Sequence, residues 1–193
     1  MKDNVKQVMD WVFVHEGGYA ERPEEPGGAV NMGISFTAYK DAWKRLKRPG
    51  EPTWADLKAM PRGNVDDDRP MDAEDIYAFS FFAPISFDSL PSGVDYCMHD
   101  LVVNSGVGGG IRVLRRKWKI EPLKSSKMDA KLLWALKSRD ATKTIDDICD
   151  GRLQLMMGSR NWNKFKDNWT RRVDKVRARA KMMAAVSAAK EKL

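Results

Sequence analysis

The chain has 193 residues, of which 42% are hydrophobic and seven are tryptophan, and this composition excludes an intrinsically disordered protein. Its formal net charge of +7 predicts attraction to an anionic partner, such as nucleic acid, a membrane surface or an acidic polymer. The two cysteines, Cys97 and Cys149, lie outside any CxxC or zinc-binding spacing, so we expect two buried thiols and no metal site.

Apolar residues recur at helical spacing through most of the chain, which predicts a mainly α-helical fold. The first helix, which Asp3 or Asn4 can cap, carries Val5, Val8 and Val12 on one face and ends at Gly17-Gly18. Residues 20–35 contain three glycines and two prolines, which predicts a long loop or at most a small β-hairpin.

Further helices are predicted over residues 37–46, 54–60 with a cap at Thr53, 72–82, 94–103, 111–118, 128–138 and 144–157. Between the helices over 94–103 and 111–118, residues 104–110 are predicted to form a glycine-rich turn. A last helix from Phe165 onward carries a basic run, which comprises Arg171, Arg172, Lys175, Arg177, Arg179 and Lys181.

Glu16 lies on the apolar stripe of the first helix, one residue before the glycine pair. Partial desolvation and the negative end of the helix dipole both disfavour its ionised form, so both would raise its pKa. A raised pKa is what a general acid needs near neutral pH. The alternative from these features alone is a solvated glutamate at a helix end.

Several strings around Glu16 form an ordered set: His15-Glu16-Gly17-Gly18-Tyr19, Glu24-Glu25-Pro26-Gly27-Gly28 and Asn31-Met32-Gly33-Ile34-Ser35. Together they resemble the N-terminal signature of glycoside hydrolase family 108, the bacterial and phage N-acetylmuramidases. The resemblance continues at residues 76–77, 81–82, 90–94 and 100–106. It implies a single lysozyme-like helical domain, with a catalytic part over 1–90, a predicted peptidoglycan-binding part over 91–170 packed on it, and a basic C-terminal helix over 171–193.

The resemblance also implies a chemistry for these residues. Glu16 would protonate the leaving oxygen of the β-1,4 bond between N-acetylmuramic acid and N-acetylglucosamine. Glu24 or Glu25 would supply a second carboxylate, although the family usually has aspartate there. Tyr19, Asn31, Ser35 and Asn104 would contact the glycan, and no metal or other cofactor is implied. Asn31 has a purely structural alternative as a loop residue bonded to its own backbone.

Two other functions compete with this one. A lytic transglycosylase would cleave the same bond with one glutamate. A non-enzymatic module would bind cell wall or nucleic acid through the basic face of Arg112, Arg115, Arg116 and Lys117 or through the last helix. This module has no recognisable reading motif and leaves the strings around Glu16 unexplained, so we expect no nucleic-acid partner.

The sequence also leads to expectations about where the protein is made and where it acts. The first residues have no apolar signal segment, which predicts synthesis in the host cytoplasm. A phage endolysin of this kind would reach the periplasm after holin-type release and lyse the cell, acting as a monomer. A secretion-associated bacterial muramidase exported by another route is the alternative, and the small size and basic tail favour the phage enzyme. Residues 165–193, basic and amphipathic, could add contact with an anionic membrane or lipopolysaccharide.

Overall fold

A computed structural model describes residues 2–22, 28–63 and 71–191. The chain forms two compact units: one from Val5 to Ser80, and one that combines Met1–Asn4 with Phe81–Leu193. The fold is 70% helical with a small antiparallel sheet, which confirms the mainly α prediction. The division at residues 90 and 170 stays a prediction.

The shorter unit combines a small sheet with short helices. Its elements are most of α1 (Lys2–Glu16), then β1 (Ala20–Arg22), β2 (Gly28–Asn31), β3 (Ile34–Ser35), α2 (Phe36–Arg45), α3 (Trp54–Ala59) and α4 (Ala73–Tyr77). The strands pair in the order β1-β2-β3, with Val30 opposite Ala20 on one side and Ser35 on the other.

Side-chain caps define where the short helices begin. Thr53 and Asp56 form a capping box at α3, which confirms the predicted cap. Ser35 caps α2, and Asp72 caps α4 by accepting a hydrogen bond from the amide of Asp75 at 2.7 Å. The prediction of a cap at Asp3 or Asn4 is wrong, because α1 already begins at Lys2. The side-chain Nδ2 of Asn4 instead donates to Oδ2 of Asp95 at 2.8 Å.

The longer unit consists mainly of long helices. A π-helical turn (Ala78–Phe82) and two 3-10 turns (Ala83–Ile85, Phe87–Ser89) lead to α5 (Val94–Ser105), α6 (Val107–Lys117), α7 (Ala130–Ser138), α8 (Ala141–Met157) and α9 (Trp162–Lys190). Helices α8 and α9 are antiparallel, since Arg177 meets Asp150 while Lys181, further along α9, meets Asp146, earlier on α8. The predicted stripe of α9 is buried at Val173, Val176, Ala180 and Met183.

The predicted turn over residues 104–110 is wrong except at Gly106, because α5 extends to Ser105 and α6, which contains three glycines, already begins at Val107. A Cβ on Gly110 would come within 2.8 Å of Val102 Cγ1 and 3.1 Å of Leu101 Cγ on α5. The missing side chain therefore lets α5 and α6 approach closely. This tertiary advantage outweighs the low helix propensity of glycine.

Both cysteines are buried and free, as predicted. Across residues 2–22, 28–63 and 71–191, no helix is both long enough and apolar enough to cross a bilayer.

Candidate active site

Glu16 is the last residue of α1, which agrees with the predicted helix end. Gly17 follows with a φ of 71°, a left-handed conformation that terminates the helix and that glycine adopts without strain. Both Gly17 and Gly18 are exposed, and the sheet begins at Ala20. The backbone therefore places Glu16 at the junction of a helix C-terminus and the small sheet. Its side chain is outside the described part of the structure, as are residues Glu24 and Glu25.

Tyr19 lies at the start of the sheet, close to a carboxylate. Its hydroxyl donates to Oε1 of Glu21 at 3.0 Å, and the Lys58 ammonium lies 5.3 Å from its ring centroid. Partial desolvation and the bond to Glu21 raise the pKa of the phenol. The phenol is therefore a neutral group at neutral pH, with one ring face beside a cation.

Glu21 is a candidate residue that the sequence reasoning missed. It is an exposed carboxylate on β1, five positions after Glu16, and it pairs with the hydroxyl of Tyr19. The signal was present in the i, i+2 spacing of Tyr19 and Glu21, because alternate residues of an extended segment share a face. Family motifs drew attention to Glu24 and Glu25 instead.

Asn31 holds the sheet to α3. It is 6% exposed, and its side-chain nitrogen donates to the carbonyl of Leu57 at 2.8 Å and that of Lys58 at 3.4 Å. Both carbonyls belong to the last turn of α3, and that of Leu57 also accepts the backbone amide of Met60 at 3.3 Å. Any contact of Asn31 with a glycan would therefore fall to Oδ1.

Ser35 has a structural task as well, since its hydroxyl accepts the amide of Ala38 at 3.2 Å and caps α2. Asn104, in the last turn of α5, is exposed and donates from Nδ2 to the carbonyl of Asp100 at 2.8 Å. Its Oδ1 is the part of the side chain left for other contacts. The substrate-binding roles of Tyr19, Asn31, Ser35 and Asn104 stay predictions.

The predicted basic face of α6 is wrong at Arg115. This side chain is fully buried, contacts the carboxylate of Asp129 and donates to the carbonyl of Lys127 at 2.9 Å. Lys117 lies 3.3 Å from Asp147. Half of the proposed binding face is therefore committed to internal contacts, which weakens the non-enzymatic basic module.

Part of the basic run of α9 is neutralised in the same way. Arg177 bonds Asp146 and Asp150 of α8, each at 2.8 Å, and Lys181 lies 2.8 Å from Asp146. Although desolvation acts in the opposite direction, the hydrogen bonds from Lys181 and Arg177 hold the pKa of Asp146 below its usual value. These cations attach α9 to α8. Membrane or lipopolysaccharide contact through this helix stays a prediction.

His99 is enclosed by aromatic rings, with the ring centroid of Phe82 at 4.5 Å and those of Phe81 and Phe87 at 6.2 Å. Burial lowers the pKa of His99 to about 3, so the imidazole is neutral at physiological pH. Within the described ranges, no group of three histidine, cysteine or acidic side chains is arranged to hold a metal ion.

Comparisons with known proteins identify the family and the fold. The family model for glycosyl hydrolase 108 matches residues 9–106, a segment that includes Glu16, the sheet and Asn104. The structure of Brucella abortus SagA superimposes with a TM-score of 0.76 at 30% sequence identity, covering 95% of this chain and 97% of that one. No curated protein matches the chain. The lysozyme-like fold expected from the sequence is thereby confirmed. The chain belongs to the glycosyl hydrolase 108 family, and it is accordingly a glycoside hydrolase of the peptidoglycan-degrading kind.

Proposed function

We propose that this protein is an N-acetylmuramidase, which hydrolyses the β-1,4 bond between N-acetylmuramic acid and N-acetylglucosamine with Glu16 as general acid. The observation that carries the proposal is the position of Glu16: it ends α1 inside the segment matched by the family model and directly before the sheet. The negative end of the helix dipole favours a protonated carboxyl group at this position. A protonated carboxyl can deliver its proton to the leaving oxygen of the glycan.

The reaction proceeds through an oxocarbenium-like transition state, and a second carboxylate either attacks the anomeric carbon or activates the water that does so. Glu24 and Glu25 are our candidates from the family signature. Glu21 is a third candidate, because its carboxylate is exposed on β1 and receives a hydrogen bond from Tyr19. Replacing each of the three glutamates separately by glutamine distinguishes them. The variant that lacks the second catalytic carboxylate should cleave peptidoglycan about 10²-fold or more slowly, whereas the other two variants should keep nearly full activity.

A lytic transglycosylase remains the second candidate, because it also depends on one glutamate. The products distinguish the two reactions. Purified protein is incubated with peptidoglycan sacculi, and the released muropeptides are analysed by mass spectrometry. Reducing muramic-acid ends support the muramidase, anhydro ends replace it with the transglycosylase, and no release by folded protein from several wall sources contradicts both. Bacterial lysis, holin-type release from the cytoplasm and a monomeric state stay predictions.

A further inference from the structure

The two ends of α9 differ in how their side chains are used. From Val173 onward the apolar stripe is buried, and Arg177 and Lys181 are paired with carboxylates of α8. The first turns instead carry three partly exposed aromatic residues, Trp162, Phe165 and Trp169. Their rings form a continuous cluster, because the centroid of Trp169 lies 6.3 Å from that of Trp162 and 5.7 Å from that of Phe165.

The last turn of α8 adds exposed aliphatic side chains at the same end of the helical hairpin. Leu155 is 41% exposed and Met157 is 58% exposed. Only residues 158–161 separate the two helices, and this connection is tight, because the amide of Ser159 bonds the carbonyl of Met156 at 2.9 Å. We call this surface the hairpin end; it consists of Leu155, Met157, Trp162, Phe165 and Trp169. Exposed apolar side chains grouped in this way usually mark a contact surface.

The charges around the hairpin end are positive and not compensated. Arg160, Lys164 and Lys166 are exposed, and none has a carboxylate partner in the part of the chain that the structure describes. Lys164 lies 5.1 Å from the ring centroid of Phe165, and Asp167 is the one acidic residue between positions 158 and 169. The contrast with Arg177 and Lys181 shows that positive charge here is available to an external partner.

A cavity of about 510 Å³ opens beside this surface, between α6 and α8. Leu155 and Val113 supply its apolar lining, and Arg116 and Gln154 supply polar groups. Arg116 is exposed and, like the lysines of the hairpin end, has no acidic partner within the described ranges. The cavity therefore offers space and one further cation for an anionic group that approaches the apolar surface.

We propose that the hairpin end docks onto anionic phospholipid at a bilayer surface. Tryptophan and phenylalanine suit the interfacial region of a bilayer, and lysine and arginine suit lipid phosphates. Leu155 and Met157 favour lipid over glycan, because aliphatic side chains gain apolar burial from acyl chains and little from hydroxylated sugars. The contact is peripheral and does not depend on the glycosidase reaction.

Vesicle co-sedimentation tests this proposal in the absence of cell wall. The probes are vesicles of phosphatidylglycerol with phosphatidylcholine and vesicles of phosphatidylcholine alone. One variant carries Lys164→Glu with Lys166→Glu, and another carries Leu155→Ser with Met157→Ser. The matched controls are Lys175→Glu with Lys190→Glu, and Met182→Ser with Val186→Ser, which replace exposed residues of α9 outside the hairpin end. Circular dichroism and thermal unfolding establish that each variant is folded.

We expect the full chain to sediment with the anionic vesicles at least about tenfold more strongly than with the neutral ones. Each hairpin-end variant should lose about tenfold or more in affinity, while both controls bind like wild type. Folded wild-type protein that stays in the supernatant with anionic vesicles overturns the proposal. So do controls that lose as much affinity as the hairpin-end variants. Hairpin-end variants that keep vesicle binding but lose binding to purified sacculi would assign the surface to glycan instead.

Discussion

The two compact units differ in how deeply their ion pairs are buried. In the unit from Val5 to Ser80, the described ion pairs of Asp10 with Lys6 and Arg62, and of Arg62 with Glu74, are all exposed. In the unit that contains α5 to α9, Arg152 is 2% exposed and contacts the carboxylate of Asp100, and Asp95 is completely buried. The comparison teaches that net charge is a poor guide to function here, because much of the charge of the longer unit is structural.

Breaking the Asp100–Arg152 pair should give the largest change in stability, and it tests this difference between the units. Burial lowers the pKa of Arg152 to about 9, and Asp100, which also lies 3.2 Å from Arg172, is its counter-charge. Asp100→Asn leaves a buried cation uncompensated and should reduce the free energy of unfolding by about 3 to 5 kcal/mol. Urea unfolding measures the change. The same substitution at the exposed Asp10 should have little effect, and equal losses at both positions would refute the comparison.

The pH dependence of stability tests the interior of the longer unit at His99. The pKa of this histidine is 6.5 when unperturbed and about 3 in the folded protein, so the unfolded chain binds the proton first as the pH falls. Stability should therefore decline from pH 6.5 downward, with His99 contributing about 2 to 3 kcal/mol of the loss at pH 4.5. Unfolding at pH 7.5 and 4.5 measures it. His99→Leu should reduce the decline by that amount, and an undiminished decline in this variant would show that His99 is not its source.

Packing of α6 against α5 predicts opposite effects for two adjacent glycines. Gly110→Ala should cost about 1 to 3 kcal/mol, because the added methyl group meets Val102 and Leu101. Gly109→Ala places its methyl at an ordinary 3.4 Å from Ser105 Cβ and should stabilise by up to about 1 kcal/mol through helix propensity. Thermal unfolding of both variants checks the pair. A gain in stability for Gly110→Ala would mean that the helices are not tightly packed there.

A cap substitution gives the smallest expected effect and tests the shorter unit. Thr53→Ala removes the capping box of α3 and should cost about 1 kcal/mol. The same substitution at the exposed Thr142, in the first turn of α8, should change stability by only a few tenths of that amount, because Asp140 supplies the cap there. Urea unfolding midpoints for both variants measure the difference. If Thr142→Ala costs as much as Thr53→Ala, the cap is not the cause.

Local signals predicted most of the fold. The helical spacing of apolar residues located the helices, and the glycine pair after Glu16 located the end of α1. The remaining features depend on tertiary packing, which the sequence does not show. Gly108 to Gly110 are typical of a turn in sequence, yet they form part of α6 where it packs against α5. Similarly, the basic run of α9 looks like a binding face until Asp146 and Asp150 of α8 are seen to pair with Arg177 and Lys181.

The sequence predicted which segment holds the candidate site, but it did not predict the contacts that each residue of the segment makes. The family signature located Tyr19, Asn31 and Ser35. It could not indicate that Asn31 binds the carbonyl of Leu57 or that Ser35 caps α2, because these partners depend on how the sheet and helices pack. Glu21 differs from these residues, because its hydrogen bond with Tyr19 follows from local spacing. No family motif pointed to that spacing.

The most direct test of the central claim is the rate of peptidoglycan cleavage by Glu16→Gln. The control is Asp10→Asn, which makes the corresponding carboxylate-to-amide change on the same helix, at a side chain that is 43% exposed. With both variants folded, Glu16→Gln should lose about 10²- to 10⁴-fold in kcat/KM on sacculi, because the leaving oxygen no longer receives a proton. Asp10→Asn should remain close to wild type. Wild-type kcat/KM in folded Glu16→Gln would contradict the assignment of Glu16 as general acid.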